Sequence, residues 1–517
     1  MSAPKLVLCV VDAMAPAMLE RAVADDAVPV MAELMRRGRY VSNCAAAFPS
    51  VTPVCAASIT TGVGQDRHRI PAMNWYDRGE ERYVEYGSSF RASQRFGIAR
   101  QLTDTVYNMN RAHLAAEVPT LFEELDDVGV RTAGTTYLIY RGRHRHEPQR
   151  DSALTRIASS TLMRHAVMGP RELFYADIFA SRRTGCRSTL GMPGVRDQHS
   201  GCVGAYMVEH DLFDFMLLSL PDNDWHSHKR GPEGQVQSLA AADLQLARVM
   251  DAAGGVERFL EDHAVIVMAD HSQAPVTETL DLQAALAELE ILMPGRTNGS
   301  GLARGVAERA RGAIGGNGGV EPRIAVCPSQ RAAMVYLLGE RRLALLRSDV
   351  VRRALALDGV ELAMWLQRDA HGAPVEGVIA RPAIGELRFA PGGPVGDDRG
   401  GAWYVEGELG VLNAEICDGL LECPEHPDAL ARAWSALVCE TSGDVLLSAA
   451  SGFEFLDWGG QAHVGGGSHG SLRGEDSLGA LILCGVETVG ALNGPDGEPV
   501  QWSIRDVAPL VRAHFGL

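Results

Sequence analysis

Three aspartates and three histidines of this sequence have side chains and spacings that suit the binding of divalent metal ions. They are Asp12, Asp224, His228, Asp270, His271 and His469. Carboxylate and imidazole groups are the ligands that zinc takes in catalytic sites, where three protein ligands leave a position open for substrate. Six such ligands are enough for two sites. The set therefore predicts a centre for two metal ions with access for a substrate.

Several of these residues follow a short, apolar stretch of the chain. Residues 265–269 precede Asp270, residues 6–11 precede Asp12, and a third such stretch comes shortly before Asp224. Short apolar stretches are typical of strands that are buried on both faces of a parallel sheet. In such sheets, ligands bind just beyond the carboxyl ends of the strands. We therefore expect these side chains to meet at one edge of a sheet.

Spacing and glycine content support the remaining ligands. Asp224 and His228 are four residues apart, so both side chains can converge from one loop or from the first turn of a helix. Asp222 and His226 have the same spacing and are an alternative pair. His469 follows a run of glycines and one serine, and these glycines allow the backbone to approach other groups closely.

Thr52 is a candidate nucleophile at the start of a predicted helix. Pro53 suits the first position of a helix, where its missing N–H is not needed, and the small residues at 53–61 suit tight packing. The free N–H groups and the dipole at this end of a helix favour an anion. Thr52 can therefore act as a nucleophile that one metal activates. A simple capping role for its hydroxyl is the alternative.

Strands and helices alternate along the parts of the chain that must position these residues. Predicted strands at residues 5–11, 131–140 and 213–220 alternate with helices such as 29–37 and 234–252. This order is typical of an α/β fold with a doubly wound, mostly parallel sheet.

The pattern changes between residues 285 and 450. Short strands, one helix and turns rich in proline and glycine predict an inserted α+β cap subdomain at 285–450, between the two parts of a catalytic α/β core at 1–284 and 451–517. The glycine-rich segment 298–319 lacks the Lys-Ser/Thr ending of a phosphate-binding loop, so we interpret it as a linker.

Composition narrows the classes of function. The formal net charge of the 517 residues is −17, which argues against binding to nucleic acid polymers or to anionic membranes. No apolar run is long enough to span a membrane, and residues 1–11 do not have the pattern of a signal peptide. The ten cysteines form no Cys-x-x-Cys pair, so we expect reduced thiols in a cytoplasmic protein.

Taken together, these motifs resemble the type I phosphodiesterase/nucleotide pyrophosphatase family of the alkaline phosphatase superfamily. The motifs come in the family's order: Val10-Val11-Asp12, the segment from Pro49 to Gly62 around Thr52, Trp75-Tyr76-Asp77, Asp224-x-x-x-His228-x-x-Gly231-Pro232, Ala269-Asp270-His271, Gly467-Ser468-His469-Gly470 and Asp506-Val507-Ala508-Pro509. The Gly-Pro pair favours Asp224 with His228 over Asp222 with His226, because the family has this pair three residues after the histidine.

The resemblance implies an alkaline phosphatase-like fold and a hydrolase of phosphodiester or nucleotide pyrophosphate-type bonds. It implies two divalent metal ions, with Zn²⁺ as the first expectation and Mn²⁺ or Fe as alternatives. One metal would be held by Asp224, His228 and His469, and the other by Asp12, Asp270, His271 and Thr52. The implied reaction is an attack by Thr52 on a small phosphorylated substrate, which gives a covalent phospho-threonine that is then hydrolysed.

One departure from the family concerns the group that holds the phosphoryl oxygens. The family has an asparagine where this chain has Met73, and Asn74 is the nearest replacement. Trp75 and Tyr76 could stack on an aromatic leaving group, or simply pack in the core. The alternatives that remain are a phosphomonoesterase, a phosphonate hydrolase, and an inactive homologue that only binds metal. The oligomeric state is not predicted.

Overall fold

The computed structural model describes residues 3–295, 323–339, 343–487 and 501–517. The glycine-rich segment 298–319, which we interpret as a linker, lies outside these residues. The strands are β1 (Lys5–Val11), β2 (Arg39–Ala45), β3 (Asn74–Asp77), β4 (Arg82–Glu85), β5 (Thr132–Gly134), β6 (His144–His146), β7 (Val167–Gly169), β8 (Glu172–Tyr175), β9 (Phe179–Ala180), β10 (Phe215–Leu220), β11 (His263–Met268), β12 (Ala274–Leu280), β13 (Ile324–Ser329), β14 (Ala332–Leu337), β15 (Val360–Arg368), β16 (Pro374–Arg381), β17 (Gly385–Gly396), β18 (Ala402–Gly407), β19 (Glu415–Cys417), β20 (Leu420–Glu422), β21 (Val445–Ala449), β22 (Gly452–Phe455), β23 (Gly467–Ser468), β24 (Leu478–Cys484) and β25 (Trp502–Ser503).

The α-helices lie between these strands and after the last of them. They are α1 (Pro16–Ala24), α2 (Pro29–Arg37), α3 (Thr52–Thr61), α4 (Gln65–His68), α5 (Phe90–Phe96), α6 (Ile98–Thr103), α7 (Leu121–Asp127), α8 (Ala153–Thr161), α9 (Arg196–Glu209), α10 (Asp222–Arg230), α11 (Gln235–Asp251), α12 (Val256–Asp262), α13 (Leu282–Ala285), α14 (Leu343–Ala354), α15 (Ala429–Val438), α16 (Gly474–Ser477) and α17 (Val507–Phe515). None of the described helices is both long enough and apolar enough to cross a lipid bilayer.

The sheet that contains β1 has the strand order β25-β2-β24-β11-β1-β10-β5-β8-β9. Its neighbouring strands β11, β1, β10, β5 and β8 run parallel to one another. By contrast, β24 is antiparallel to both β11 and β2. The predicted α/β class is therefore confirmed, with a mixed sheet whose centre is parallel.

Apolar helices cover both faces of this sheet. Leu8 and Val10 of β1 pack in one core cluster with residues of α3 and α17, whereas Cys9 and Val11 pack in a second cluster with residues of α2, α9 and α11. Successive strand residues point to opposite faces, so a strand that is apolar throughout must be covered on both sides. This burial explains the apolar run in the sequence and agrees with a doubly wound arrangement.

The strand predicted at residues 131–140 is much shorter in the structure. β5 ends at Gly134, and the Thr135 hydroxyl then accepts a hydrogen bond from the Ser219 amide (2.8 Å). Further along, the Asn110 side chain donates to Leu138 O (2.8 Å) and accepts from the Tyr140 amide (2.8 Å). These side-chain bonds replace the backbone pairing of a strand, so apolar residues that look like a strand form a loop.

A second sheet consists of β13 to β21 and lies between Ile324 and Ala449. The role of the wider segment 285–450 as an inserted cap stays a prediction. The turn between β13 and β14 contacts the loop after β23, because the Arg331 amide donates to His469 O (2.9 Å). The second sheet therefore supports the backbone of a predicted metal ligand.

One expectation about the cysteines is wrong. Cys186 and Cys202 form a disulfide, with their Cα atoms 5.9 Å apart, whereas the sequence led us to expect only reduced thiols. The bond joins the loop after β9 to α9. It was not foreseen because two cysteines 16 residues apart, one in a loop and one in a helix, form no recognisable sequence pattern.

Candidate metal centre

The carboxyl ends of β1, β10 and β11 lie side by side at one edge of the first sheet. Asp12 directly follows β1, Asp224 lies in the first turn of α10 after β10, and Asp270 and His271 follow β11. The short strand β23 pairs with β12 and so brings His469 to the same edge. The structure thus brings together side chains that are up to 457 positions apart in the sequence.

Asp12, Asp270 and His271 form a first compact group, with one potential ligand atom from each residue within 4.8 Å of the others. His271 Nε2 is 3.6 Å from Asp12 Oδ1 and 3.4 Å from Asp270 Oδ2. Both oxygens are buried and have no hydrogen-bond partner among the described residues. Because a buried, partnerless carboxylate oxygen is costly, this group is suited to a cation.

Asp224, His271 and His469 form a second compact group. His469 Nε2 is 3.4 Å from Asp224 Oδ1, and the rings of His469 and His271 stack with their centroids 3.7 Å apart. His228 contacts the other oxygen, with Nε2 3.4 Å from Asp224 Oδ2, and lies outside the compact group. His271 therefore belongs to both groups. The resemblance had assigned it to one metal only.

Backbone carbonyl groups orient all three histidines through Nδ1. His271 Nδ1 is 3.0 Å from Ser272 O, His469 Nδ1 is 2.7 Å from Ser50 O, and His228 Nδ1 is 2.8 Å from Gly467 O. A carbonyl oxygen only accepts, so each Nδ1 carries the hydrogen, and Nε2 of the neutral ring presents a lone pair. In each ring Nε2 faces carboxylate oxygens. This orientation is typical of metal-binding histidines.

The pKa shifts describe a site with unfavourable electrostatics in the absence of a cation. Burial lowers the pKa of His271 to about 4 and also lowers the pKa of His469, so both rings are neutral near neutral pH. Burial, with the charges of neighbouring aspartates, raises the pKa of Asp12 well above its usual range. Although burial acts in the opposite direction, His228, whose own pKa is raised beside this carboxylate, holds the pKa of Asp224 well below its usual range. Bound cations would favour the ionised form of these carboxylates.

Thr52 is the first residue of α3 and lies next to the first group. Its Oγ1 is 3.3 Å from His271 Nε2. The cap position of α3 is Val51, and no side chain caps the helix, so the Thr52 hydroxyl is not used as a cap. The side chain is half-buried. The hydroxyl is thus directed at His271, which belongs to both compact groups, rather than at the helix.

Glycine is required in the loop before His469. A Cβ atom at Gly466 would lie 2.0 Å from His228 O, and one at Gly467 would lie 2.5 Å from Gln273 Oε1. No side chain larger than hydrogen fits between these groups without moving them. The close approach that the glycines predict is therefore what allows the loop with His469 to reach α10.

Asp222, the alternative to Asp224, is fully engaged elsewhere. Its Oδ1 accepts hydrogen bonds from the Gly194 amide (2.8 Å) and from Arg196 Nε (2.9 Å), and its Oδ2 accepts from the Asp197 amide (3.1 Å). These bonds hold the start of α9. The structure therefore brings Asp224, and not Asp222, to the ligand groups.

Two amide side chains that the sequence analysis did not identify support predicted ligands, one at a carboxylate and one at a backbone carbonyl. Gln273 Nε2 donates to Asp224 Oδ1 (2.5 Å). Asn223 Nδ2 donates to Asp12 O (2.8 Å), while its Oδ1 accepts from the Ser238 hydroxyl (2.7 Å). Both amides are next to or near predicted ligands in the sequence. That proximity was the available signal, although amides are also common in turns without any such role.

Asn74, Trp75 and Tyr76 lie in β3, in a packed hairpin. Asn74 Nδ2 donates to Val84 O (2.9 Å), and the Trp75 ring meets the edge of His113 with the centroids 5.2 Å apart. All three predicted substrate-binding residues are largely buried. Their contact with a substrate stays a prediction.

Comparison with solved structures shows a fold similar to that of phosphonoacetate hydrolase from Sinorhizobium meliloti 1021. The structure of that enzyme with phosphonoformate has a TM-score of 0.54 and 15% sequence identity, and the match covers 99% of this chain and 96% of the other. The structure with phosphonoacetate has a TM-score of 0.53 and 16% identity over the same shares of both chains. Among curated proteins, none matches this chain.

The family model described as "Type I phosphodiesterase / nucleotide pyrophosphatase" matches residues 6–340. This match covers more than half of the chain and takes in Asp12, Thr52, Asp224, Asp270 and His271. It supports a metal-dependent hydrolase that acts on phosphate esters or related bonds. The chain belongs to the type I phosphodiesterase/nucleotide pyrophosphatase family.

Proposed function

We propose that this protein hydrolyses phosphodiester or nucleotide pyrophosphate-type bonds through a covalent phospho-threonine on Thr52, with the help of two divalent metal ions. One observation carries the proposal. Asp12 Oδ1 and Asp270 Oδ2 are buried without a hydrogen-bond partner among the described residues, and both face His271 Nε2, which is also 3.3 Å from the Thr52 hydroxyl.

The donor set suits Zn²⁺, with Mn²⁺ or Fe as alternatives. Asp12, Asp270, His271 and Thr52 would hold one ion, and Asp224, His228 and His469 would hold the other. When bound, such ions supply positive charge that stabilises the phosphoryl oxygens during an in-line displacement. His271 lies in both compact groups. Its single Nε2 lone pair can bind only one of the two ions.

The reaction proceeds in two displacements at phosphorus. Thr52 Oγ1 forms a bond to phosphorus while the bond to the leaving group breaks, and the hydroxyl proton passes through solvent to the departing group. A water molecule then attacks phosphorus and the bond to Thr52 Oγ1 breaks. One water proton restores the Thr52 hydroxyl, so the net reaction is hydrolysis.

A phosphonate hydrolase or a phosphomonoesterase on the same site is the second candidate. The structural match to phosphonoacetate hydrolase covers 99% of this chain, whereas the family model ends at residue 340. The match therefore includes most of the predicted cap, the region expected to shape the pocket for the leaving group. Met73, in place of the family's asparagine, also leaves the preference between monoester and diester open.

We propose a small phosphorylated molecule as the substrate and expect neither a nucleic acid polymer nor a membrane as a partner. The cytoplasmic location that we expect from the sequence stays a prediction. The Cys186–Cys202 disulfide weighs against it, because structural disulfides are typical of oxidising compartments.

Hydrolysis of bis-p-nitrophenyl phosphate, p-nitrophenyl phosphate and phosphonoacetate by wild type and Thr52→Ala tests the proposal. We expect the wild type to prefer the diester and Thr52→Ala to lose at least about a thousandfold in kcat. Thr60→Ala is the matched control, because the Thr60 hydroxyl in the same helix only donates to the backbone, at Ala56 O (2.7 Å). Its turnover should match that of the wild type.

Each other outcome has a definite meaning. Turnover of the monoester or of phosphonoacetate alone would favour the second candidate. Activity that persists in Thr52→Ala would exclude the phospho-threonine. A wild type that binds metal but turns over none of the three substrates would support the inactive metal-binding homologue.

A further inference from the structure

The side-chain donor that the family uses for the phosphoryl oxygens has no counterpart in β3 or just before it. Met73 has no hydrogen to donate. Asn74 donates one of its two side-chain amide hydrogens to Val84 O (2.9 Å), and its backbone amide donates to the Ser329 hydroxyl (3.2 Å). Because the bond to Val84 O turns the Asn74 side-chain amide towards β4, other parts of the site are candidates for a side-chain donor to the phosphoryl group.

Tyr137 lies in the loop after β5, at the edge of the sheet where the carboxyl ends of β1 and β10 lie. The Ser219 amide donates to the Thr135 hydroxyl (2.8 Å), which sets the start of this loop level with the carboxyl end of β10. The Asp12 amide donates to Leu220 O (3.1 Å), which sets Asp12 at the same level. The loop thus leaves the sheet at the edge where the ligand groups lie.

The Tyr137 side chain is on the same face of the sheet as the candidate nucleophile. It belongs to the core cluster that contains Val54 and Cys55 of α3, the helix that begins with Thr52. The side chain is only 5% exposed. Its ring is therefore held in place by packing within this cluster.

The Tyr137 hydroxyl has no hydrogen-bond partner among the described residues. Buried tyrosine hydroxyls normally find one, because an unpaired buried hydroxyl is costly. Burial, and after it the charges of Asp270 and Asp12, hold the pKa of Tyr137 well above its usual range, so the hydroxyl keeps its proton and remains a donor. Asp270 and Asp12 both belong to the first compact group.

We propose that the Tyr137 hydroxyl donates a hydrogen bond to a nonbridging oxygen of the phosphoryl group that Thr52 attacks, an inference that rests on the proposed function. Negative charge on these oxygens must be stabilised while the bonds to phosphorus change. A donor that is fixed in place before the reaction stabilises this charge without reorganising. Tyr137 would thus act where the family uses an asparagine.

Tyr137→Phe tests this inference because it removes the hydroxyl and keeps the ring. We expect kcat/KM for bis-p-nitrophenyl phosphate to fall about tenfold to a hundredfold, the range for a hydrogen bond to a charged group. The affinity for inorganic phosphate, measured by calorimetry on the metal-loaded protein, should fall by a similar factor. The number of metal ions per chain should not change.

Tyr140→Phe is the matched control in the same loop. The Tyr140 side chain is 1% exposed, and its hydroxyl donates to Val106 O. Loss of this bond should lower the melting temperature and leave phosphate affinity unchanged within about twofold. Tyr137→Phe should show the reverse pattern, because removal of a partnerless hydroxyl costs no bond in the free protein.

The outcomes separate this inference from the proposed function. A wild type without turnover would contradict the proposed function, and phosphate binding would still decide the role of Tyr137. Unchanged phosphate affinity and turnover in Tyr137→Phe would overturn the inference. A Tyr137→Phe protein that unfolds well below the wild type would also overturn it, because the hydroxyl would then have a structural partner.

Discussion

Buried aspartate side chains have opposite roles in two regions of this protein. Asp243 of α11 accepts hydrogen bonds from the Val30 amide (3.1 Å) and the Met31 amide (2.7 Å), so both of its oxygens hold the start of α2. At the edge of the sheet, Asp12 and Asp270 each have one buried oxygen without a partner among the described residues. Burial is common to both regions, and the missing partner distinguishes the second.

This difference separates stability from function. A buried carboxylate with both oxygens bonded contributes to the folded state, whereas a partnerless one costs free energy until a ligand pairs with it. Groups that lower the stability of the free protein are expected where binding or catalysis requires them. The comparison therefore predicts that the same substitution, Asp to Asn, has opposite effects in the two regions.

Asp270→Asn should have the largest effect on activity. Asp270 Oδ1 accepts hydrogen bonds from the Ala13 amide (3.2 Å) and the His271 amide (3.0 Å), and the oxygen of an asparagine can keep both. Only the partnerless oxygen is replaced. We expect turnover of the preferred substrate to fall about a thousandfold or more. Loss of a metal ligand removes several kcal/mol from the stabilisation of the transition state. The metal-free variant should melt no lower than metal-free wild type.

Gln273→Leu should have an intermediate effect. Gln273 donates to Asp224 Oδ1 and to Asp224 O, and so orients a predicted ligand without being one. Loss of such an orienting bond typically lowers metal affinity about tenfold to a hundredfold. Titration with a competing chelator measures this change. Equal affinity in variant and wild type would show that Gln273 does not orient the ligand.

Asp243→Asn is the counterpart of Asp270→Asn and should change stability alone. An amide offers one acceptor oxygen to two backbone donors, so one backbone amide at the start of α2 loses its partner. We expect the free energy of unfolding to fall by about 1–2 kcal/mol, measured by denaturant titration, with kcat unchanged. A loss of metal binding in this variant would break the comparison.

His68 gives a smaller, pH-dependent effect on stability. Its Nδ1 accepts from the Ile70 amide (3.1 Å), its Nε2 faces the Ser58 hydroxyl (3.1 Å), and burial lowers the pKa of His68 to about 3. Below about pH 6.5 the unfolded chain binds a proton that the folded chain does not, so this histidine costs stability as pH falls from 6.5 towards 3. His68→Gln should reduce the acid-induced loss by at least about 1 kcal/mol, measured by unfolding at pH 7 and pH 5.

The location of the site could be predicted because each part of it depends on local sequence. Apolar runs predict buried strands, and residues directly after them, such as Asp12 and Asp270, must lie at the carboxyl edge. The distribution of ligands could not be predicted in the same way. That His271 lies in both groups depends on the distance between β11 and the loop of His469, which no local pattern fixes.

Long-range contacts also explain the other differences. The end of β5 depends on Asn110, which is distant in sequence, and the disulfide depends on how the loop after β9 packs on α9. Tyr137 had no sequence signal, because its partnerless hydroxyl is visible only when the neighbours of its loop are known.

The most direct test of the central claim is the number of metal ions bound per chain, measured by elemental analysis after loading with Zn²⁺ and removal of the excess. We predict two ions in the wild type, two in Asp243→Asn, and at most one in Asp270→Asn. A wild type that binds none, or an Asp270→Asn protein that still binds two, would contradict the claim that the partnerless carboxylates form the metal centre.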